Sequence, residues 1–457
     1  MNIINPATEA LITEVEIDRV HVIEKVYQVA RDAQKKWAAR PLSERIEIIR
    51  RFDQLLEEAK DDLALTLTNE MGKPLWQAHN ELNGARGRIG WLLDNVEKAL
   101  ADEVMTQEAG LTEKIVHEPL GVIANISAWN YPYLVGVNVF VPALLAGNAV
   151  LYKPSEYTTM TGIRIEDLLH DAGVPRSVFQ VVAGGKESGE ALLKLPLDGY
   201  YFTGSHRTGQ YIYEQVAAKM VPCQMELGGK DPLYVSKDNS NIPAVAAAAV
   251  EGAFYNSGQS CCAVERIYVH EAVYDEFVEA FVAETAKLKV GDPLDKDSWI
   301  GPLARREQLD VLQKQAGDAL LKGAGIAYGE ERWEGKGYYF IPTVFTDVNH
   351  SMKLMKEESF GPVIGIQKVA SDQEAIELML DTDYGLTAAV YSDSYESAEP
   401  ILKAMNTGTV YWNCCDRVSA PVPWSGRKRS GLGATLSSVG LRTFTQPKAY
   451  HLRGSSN

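Results

Sequence analysis

Residues 18–104 are polar, with apolar residues recurring at helical spacing in "VIEKVYQVARDAQKKWAA" and "RIEIIRRFDQLLEEAKDDLALTLTNEMGK", which predicts an N-terminal helical layer. From residue 121 the texture changes. The short β-rich runs "GVIANISAW", "NAVLYKP", "VFQVVAG" and "GYYFTGS" alternate with helical stretches over 132–146, 158–171, a short one after 184, and 207–219. Strand and helix alternating across brief Gly, Pro and Ser connections predict a parallel sheet covered on both faces. Ligands of such sheets bind beyond the carboxyl ends of the strands. A second series starts near residue 232 with "PLYV", an Ala-rich helix over 243–256, "RIYVH" and a helix over 271–288, and continues past "AAVYSD" at 388–393, so a second α/β domain is expected. No short-period repeat or low-complexity segment interrupts the pattern.

Composition narrows the function classes. A chain of 457 residues that is 46% apolar can bury a large core in two or three domains. Its formal charge of −16 disfavours nucleic acid and anionic membrane as partners. The densest basic cluster, "SGRKRSG" at 425–431, reads as a solvated or ion-paired loop. The first residues lack the basic and apolar regions of a signal peptide, and no apolar run has the length of a membrane span, so a cytoplasmic location is expected. The five cysteines, Cys223, Cys261, Cys262, Cys414 and Cys415, show no C-x-x-C spacing; neither a metal site nor a disulfide framework is expected.

No G-x-G-x-x-G follows a predicted strand. The nearest glycine loop, "FTGSHRTG", has Gly204 and Gly209 five apart with Gln210 where a Walker loop would carry Lys. What remains is a strand ending in Gly204-Ser205 that opens a helix, whose free N–H groups could receive a phosphate. "NAVLYKPSE" adds Lys153 at a strand's carboxyl end and Glu156 at the start of the next helix. Glu156 reads either as an acid complementing the helix dipole or as an acceptor for two ribose hydroxyls, the second favouring NAD over NADP.

"FYNSGQSCCAVERIYV" raises a choice between two adjacent cysteines. Pro243 and Gly258 bracket a helix in the order expected for its two ends, so Cys261 should lie just past a helix where a new strand begins. Neighbours in a strand face opposite ways, so one cysteine at most would face a given pocket. The residues alone also allow both to be small buried hydrophobes.

"FYNSGQSC" resembles the cysteine signature of the aldehyde dehydrogenase superfamily. "WNYP", "LYKPSE", "FTGS", "MELGGKDP", "KEESFGP" and "SGRKRSGLG" stand in that family's order and spacing, and the resemblance runs from "INPATEALI" to "TFTQPK". It implies a Rossmann-like NAD-binding domain from residues 1–100 and 121–227, an α/β catalytic domain from 228–428, and a small β oligomerisation arm from 101–120 and 429–457. It implies Cys261 as nucleophile, attacked aldehyde passing through a thiohemiacetal and a thioester, Asn130 in the oxyanion hole and Glu226 as the base that activates water. Trp129, Lys153, Glu156, Gly204, Ser205, Leu227, Glu358 and Phe360 match the contacts to NAD, with NADP less favoured because of Glu156. A homodimer or homotetramer acting on a small aldehyde is implied, and Cys262 is expected to face away from it.

Two departures bear on chemistry. The family's C-terminal "SGxGRELG" reads "SGLGATLS", so Thr435 stands where a glutamate often assists, and Glu226 is expected to act without it. Tyr131, Tyr255 and Trp424 are the expected aromatic walls of the substrate pocket, with Arg417 in its anchor loop. Relatives acting on succinate semialdehyde would carry arginine at position 138 and shortly before the cysteine loop; Asn138 and Tyr255 weaken a dicarboxylic semialdehyde substrate. A CoA-acylating relative, or a catalytically silent protein on the same fold, are the alternatives, and Glu226 with Cys261 and Asn130 argue against both.

Overall fold

The computed structural model describes residues 1–454. Four helices, Val20–Ala38, Leu42–Glu58, Lys60–Met71 and Leu75–Ala99, form the N-terminal layer. Each turns a stripe inward at helical spacing, as Ile46, Ile49, Phe52 and Leu56 do in the second.

The first sheet has the order Gly431–Leu432, Cys223–Glu226, Gly199–Thr203, Val122–Ile126, Ala149–Lys153, Phe179–Val181. All its pairings are parallel except the one made by Gly431–Leu432. The chain enters at Val122–Ile126, builds outward on one side and then on the other, so the strand order reverses between Val122–Ile126 and Gly199–Thr203, the place where open α/β sheets bind ligands. Helix Pro132–Ala146, apolar nearly all round, is accordingly buried. Pro132 sits in its first turn and Gly147, at φ 97°, ends it.

The second sheet runs Gly325–Tyr328, Thr343–Thr346, Val363–Val369, Val264–His270, Asp231–Val235, Thr387–Tyr391, Thr409–Trp412, parallel but for the first pair. The short link 227–230 carries the chain from one sheet to the next. The carboxyl ends of the first sheet thereby face the amino ends of Val264–His270 and Val363–Val369, and the cleft lies between.

A third, antiparallel sheet joins Glu103–Glu108, Leu111–Pro119 and Thr445–Arg453. Gly431–Leu432 pairs with Met225–Glu226 and the helix Ser437–Arg442 packs on Leu75–Ala99. Pairing with the arm starts only at Thr445, opposite Pro119. The basic loop is ion-paired, with Arg429 2.6 Å from Asp383. No helix of the described residues is long and apolar enough to cross a membrane.

Candidate active site

Asn241 caps the helix Ile242–Phe254 by accepting from the Ala244 N–H, and the chain then makes a sharp left-handed passage: Asn256, Ser257 and Gly258 have φ of 55°, 56° and 70°. Two non-glycine residues in that region are strained and persist only where surroundings hold them. Here they are held. The Asn256 N–H donates to the Gln77 side chain at 3.0 Å, and its side-chain amide donates to the carbonyls of Asn130 and Gln259 at 3.1 Å each. Gly258 passes so near Gly361 that a Cβ would lie 2.5 Å from its carbonyl carbon.

This passage delivers Cys261 and Cys262 into a turn over 261–263, with the strand starting only at Val264. The expectation that strand alternation separates the two thiols is therefore corrected: both line one cavity of about 900 Å³. They differ in their partners. Cys262 is buried and donates to Asp416 Oδ1 at 3.0 Å, beside Ser260, which donates to the same oxygen at 3.2 Å. The neighbouring Cys261 sulfur and burial push the Cys262 thiol well up, which keeps it protonated. Burial lifts Asp416 to about 7. Cys261 is partly exposed to the cavity.

Asn130 follows the strand Val122–Ile126 and is fixed through its backbone. Lys73 Nζ donates to the Asn130 carbonyl at 2.8 Å and pairs with Glu81, both side chains fully buried; Glu81 also accepts from the Tyr133 N–H at 2.8 Å. The Asn130 side chain donates to the Gln259 carbonyl at 3.1 Å, which leaves one amide N–H.

Glu226 ends the strand Cys223–Glu226 inside the same cavity. Burial raises its pKa to about 7, against the lowering effects of a hydrogen bond from the Thr435 hydroxyl and the charge of Arg88. Position 435 offers Glu226 no glutamate, but the Thr435 hydroxyl donates to it directly. Arg88 escaped the sequence reading altogether. It comes from the helix Leu75–Ala99, and its Nη1 donates to the Leu134 carbonyl at 3.2 Å and to Asn138 Oδ1 at 3.0 Å. Position 138 thus anchors an arginine supplied by another helix. A signal was available: Gln77, Glu81, Gly84 and Arg88 recur at helical spacing, and all four line the cavity.

On the other flank, Lys153 is buried at the end of Ala149–Lys153, with its ammonium donating only to the Pro154 carbonyl at 3.2 Å and forming no ion pair among the described residues. Glu156 is exposed in the following turn; the helix begins at Thr159, so Glu156 precedes the first turn expected to hold it. Ser205 caps the helix His206–Val216 by accepting from Thr208 N, just after Gly204, and Leu227 packs against Gly209 of that helix. Trp129 meets Phe360 edge to face at 5.4 Å, Phe360 holding φ 50°. The Phe360 and Ser359 N–H groups donate to Glu265, whose ion pair with Lys230, at 2.7 Å, is buried. Glu358 folds onto Gly228-Gly229, accepting from Gly229 N at 3.2 Å, and burial pushes its carboxyl up, the charge of Glu265 adding to the effect.

These residues fit a dinucleotide. An ammonium buried without a carboxylate, an exposed acid beside it, and a helix N-terminus lie together past the carboxyl ends of parallel strands, offering a cation, a ribose-hydroxyl acceptor and free N–H groups. Of the residues expected around the substrate, Tyr131, Tyr255, Trp424 and Arg417 all line the cavity, Arg417 mostly exposed and 3.5 Å from Glu251. The Tyr131 ring lies 3.8 Å beneath Lys73 Nζ, so its face is already used by a cation of the chain.

Residues 1–450 match the family model described as the aldehyde dehydrogenase family. A chloroplastic aminoaldehyde dehydrogenase of Arabidopsis thaliana is 35% identical, over 100% of this chain and 93% of that one. An NADP(+) succinate-semialdehyde dehydrogenase of Deinococcus radiodurans is 34% identical, over 97% of this chain and 93% of its own. The solved betaine aldehyde dehydrogenase of Staphylococcus aureus in complex with NAD+ superposes with a TM-score of 0.95 at 30% identity, covering 100% of this chain and 93% of that one.

Proposed function

The chain belongs to the aldehyde dehydrogenase family and is an NAD(P)-dependent enzyme oxidising small aldehydes; on that premise we propose that Cys261 is its nucleophile, Glu226 its hydrolytic base and Asn130 its oxyanion donor. The Cys261 thiolate bonds the carbonyl carbon, and the charge gathering on oxygen is met by the remaining Asn130 amide N–H and the Cys261 backbone N–H. When bound, the nicotinamide supplies the acceptor for the hydride that leaves that carbon. The acyl group then rests on Cys261 as a thioester. Glu226 takes a proton from water as the water attacks the thioester, and the acid departs with the thiolate restored. A carboxyl near neutrality suits that task, because it is available as base without being too weak.

The observation that carries the assignment is the unequal footing of the two thiols: Cys262 is committed to Asp416, and Cys261 is open to the cavity that Glu226 also lines. Lys153, Glu156 and the Gly204-Ser205 turn would hold the adenosine and diphosphate half, with Leu227 beneath. Glu358 and Phe360 would border the nicotinamide half, with Trp129, which Phe360 meets edge to face, on the diphosphate side. An exposed carboxylate at 156 repels a 2′-phosphate, so NAD is the favoured cofactor. The working units are the NAD-binding segments 1–100 and 121–227, the catalytic segment 228–428, and an arm. The arm's edge strand exposes Val104 and Met105, and a second copy covering it accounts for that apolar edge in a homodimer or homotetramer. Five free cysteines suit the cytoplasm.

Following reduced nicotinamide by its near-ultraviolet absorbance tests the reading. Wild type should turn over aldehydes with NAD faster than with NADP and without CoA, and Cys261→Ala should abolish turnover. Activity retained by Cys261→Ala but lost in Cys262→Ala would overturn the assignment, and a requirement for CoA would overturn hydrolysis by Glu226.

A further inference from the structure

Almost every charge lining the cavity is answered by a neighbour. Glu81 is paired with Lys73, Asp416 accepts from Cys262 and Ser260, Glu251 faces Arg417 at 3.5 Å, Glu284 pairs with Lys287, and Glu226 accepts from Thr435. Arg88 feels the charges of Glu226 and Glu81 but is held by neutral acceptors alone. It forms no ion pair among the described residues, and the only acceptors it reaches are the Leu134 carbonyl and Asn138 Oδ1, both at Nη1.

The geometry leaves a particular edge free. With Nη1 committed to helix Pro132–Ala146, Nε and Nη2 have no partner among the described residues, and neither is sealed from the cavity that Arg88 lines. Those two N–H groups form one side of the planar guanidinium, spaced to meet both oxygens of a carboxylate at once. Asn138 and the Leu134 carbonyl fix the plane, so the fork is preorganised and little entropy is lost on binding. The same cavity holds Cys261 and Glu226, so an anion on the fork belongs to the molecule whose other end reacts.

We propose that Arg88, steadied by Asn138, is a carboxylate-binding subsite, and that the preferred substrate is a short aldehyde bearing a terminal carboxylate. This rests on the assignment of the cavity as the aldehyde site. It places recognition of the anion on the helix Leu75–Ala99, and gives Asn138 the part of a positioning residue.

The test compares 4-oxobutanoate with butanal, which share a chain length and differ in the charged end. Wild type should favour 4-oxobutanoate in kcat/KM by at least about tenfold. Arg88→Gln should lower that ratio by about 100-fold, mainly through KM for the charged aldehyde, as loss of a charge-assisted bidentate contact predicts. Arg88→Lys, which keeps the charge without the fork, should fall between. A ratio unchanged within about threefold in Arg88→Gln, or a wild-type preference for butanal, would overturn the proposal; an equal loss for both aldehydes with a moved pH midpoint would assign Arg88 to Glu226 instead. A measurement on wild type alone guards against misfolding of the variants. Succinate should slow alkylation of Cys261 by iodoacetamide, read by mass, where the uncharged diamide of succinate does not; no difference between the two would also overturn the subsite. Should neither aldehyde reduce NAD while succinate still protects Cys261, the subsite stands and the oxidation reading fails.

Discussion

Lys73 and Lys230 are each buried against a carboxylate of the chain, Glu81 and Glu265, whereas Lys153 at the carboxyl end of its strand is buried with only the Pro154 carbonyl to receive it. Burial lowers the pKa of all three; a buried, hydrogen-bonded glutamate works against that lowering in the first two, and at Lys153 only the charge of the exposed Glu156 does. Each internal pair also fastens backbone near the reacting residues: Lys73 and Glu81 hold Asn130 and Tyr133, and Lys230 and Glu265 hold Ser359 and Phe360. Desolvating a cation is costly unless a counter-charge and further hydrogen bonds compensate it. The difference therefore sorts buried charges by task. Where the chain supplies the partner, the charge is architectural; where it supplies no ion pair, as at Lys153 and Arg88, the counter-charge is assigned to a group that arrives from outside.

The comparison breaks if the architectural pairs prove dispensable. Glu81→Gln leaves Lys73 buried and unmatched and should cost about 3–5 kcal/mol of stability, read from the denaturant midpoint. Lys153→Met should cost less than about 1 kcal/mol by the same measurement; equal losses in the two variants would end the distinction.

Glu226 tests the intermediate case, an acid whose one internal donor is a neutral hydroxyl. Its folded pKa of about 7 exceeds the ordinary 4.5, so the stability it contributes is whole below pH about 4.5 and lost as pH rises through about 7. Glu226→Gln should accordingly gain on wild type by up to about 3 kcal/mol between pH about 4 and pH about 8. Hydrolysis runs the other way, rising through pH about 7 as the carboxylate forms, and the Gln variant should release a burst of NADH and then stall. A Gln variant whose stability tracks wild type at every pH would remove Glu226 from the set.

Smaller effects sharpen the picture on the nucleotide side. Lys153→Met should weaken NAD binding by about 10- to 100-fold in a fluorescence titration, the loss expected for a charge-assisted hydrogen bond. The smallest effect belongs to Cys262→Ala, which should lower kcat by less than about tenfold and change the rate at which iodoacetamide labels Cys261 by less than about threefold, since the Cys262 thiol is held by Asp416.

Much of this was legible in the chain. Alternation of strand and helix gave both sheets and helix Pro132–Ala146 to the residue, because hydrophobic period and the Pro and Gly at helix ends are written among near neighbours. The cysteine pair was misread for a local reason of another kind: Asn256 and Ser257 adopt left-handed φ that their identities do not advertise, and the added turn keeps both thiols on one cavity. Thr435 stands in the sequence as a hydroxyl where the family often has a carboxylate, and that it donates to Glu226 is visible only in the folded chain. Arg88 was missed while its spacing with Gln77, Glu81 and Gly84 lay in plain view, because polar residues at helical spacing ordinarily mark the solvent face.

By itself the sequence determined the layering and the order of the elements, properties carried by short windows, and its motifs carried the resemblance that singles out Cys261 and Glu226 for thiol and base chemistry. Tertiary structure alone decided which buried charges are matched within the chain and which face the cleft. The reason is distance along the chain: Lys73 finds the Asn130 carbonyl 57 residues on, and Glu226 takes its hydrogen bond from a hydroxyl 209 residues away. No local rule reaches that far, and only the packing of the helical layer and of the returning strand Gly431–Leu432 on the first sheet brings those groups within a few ångströms.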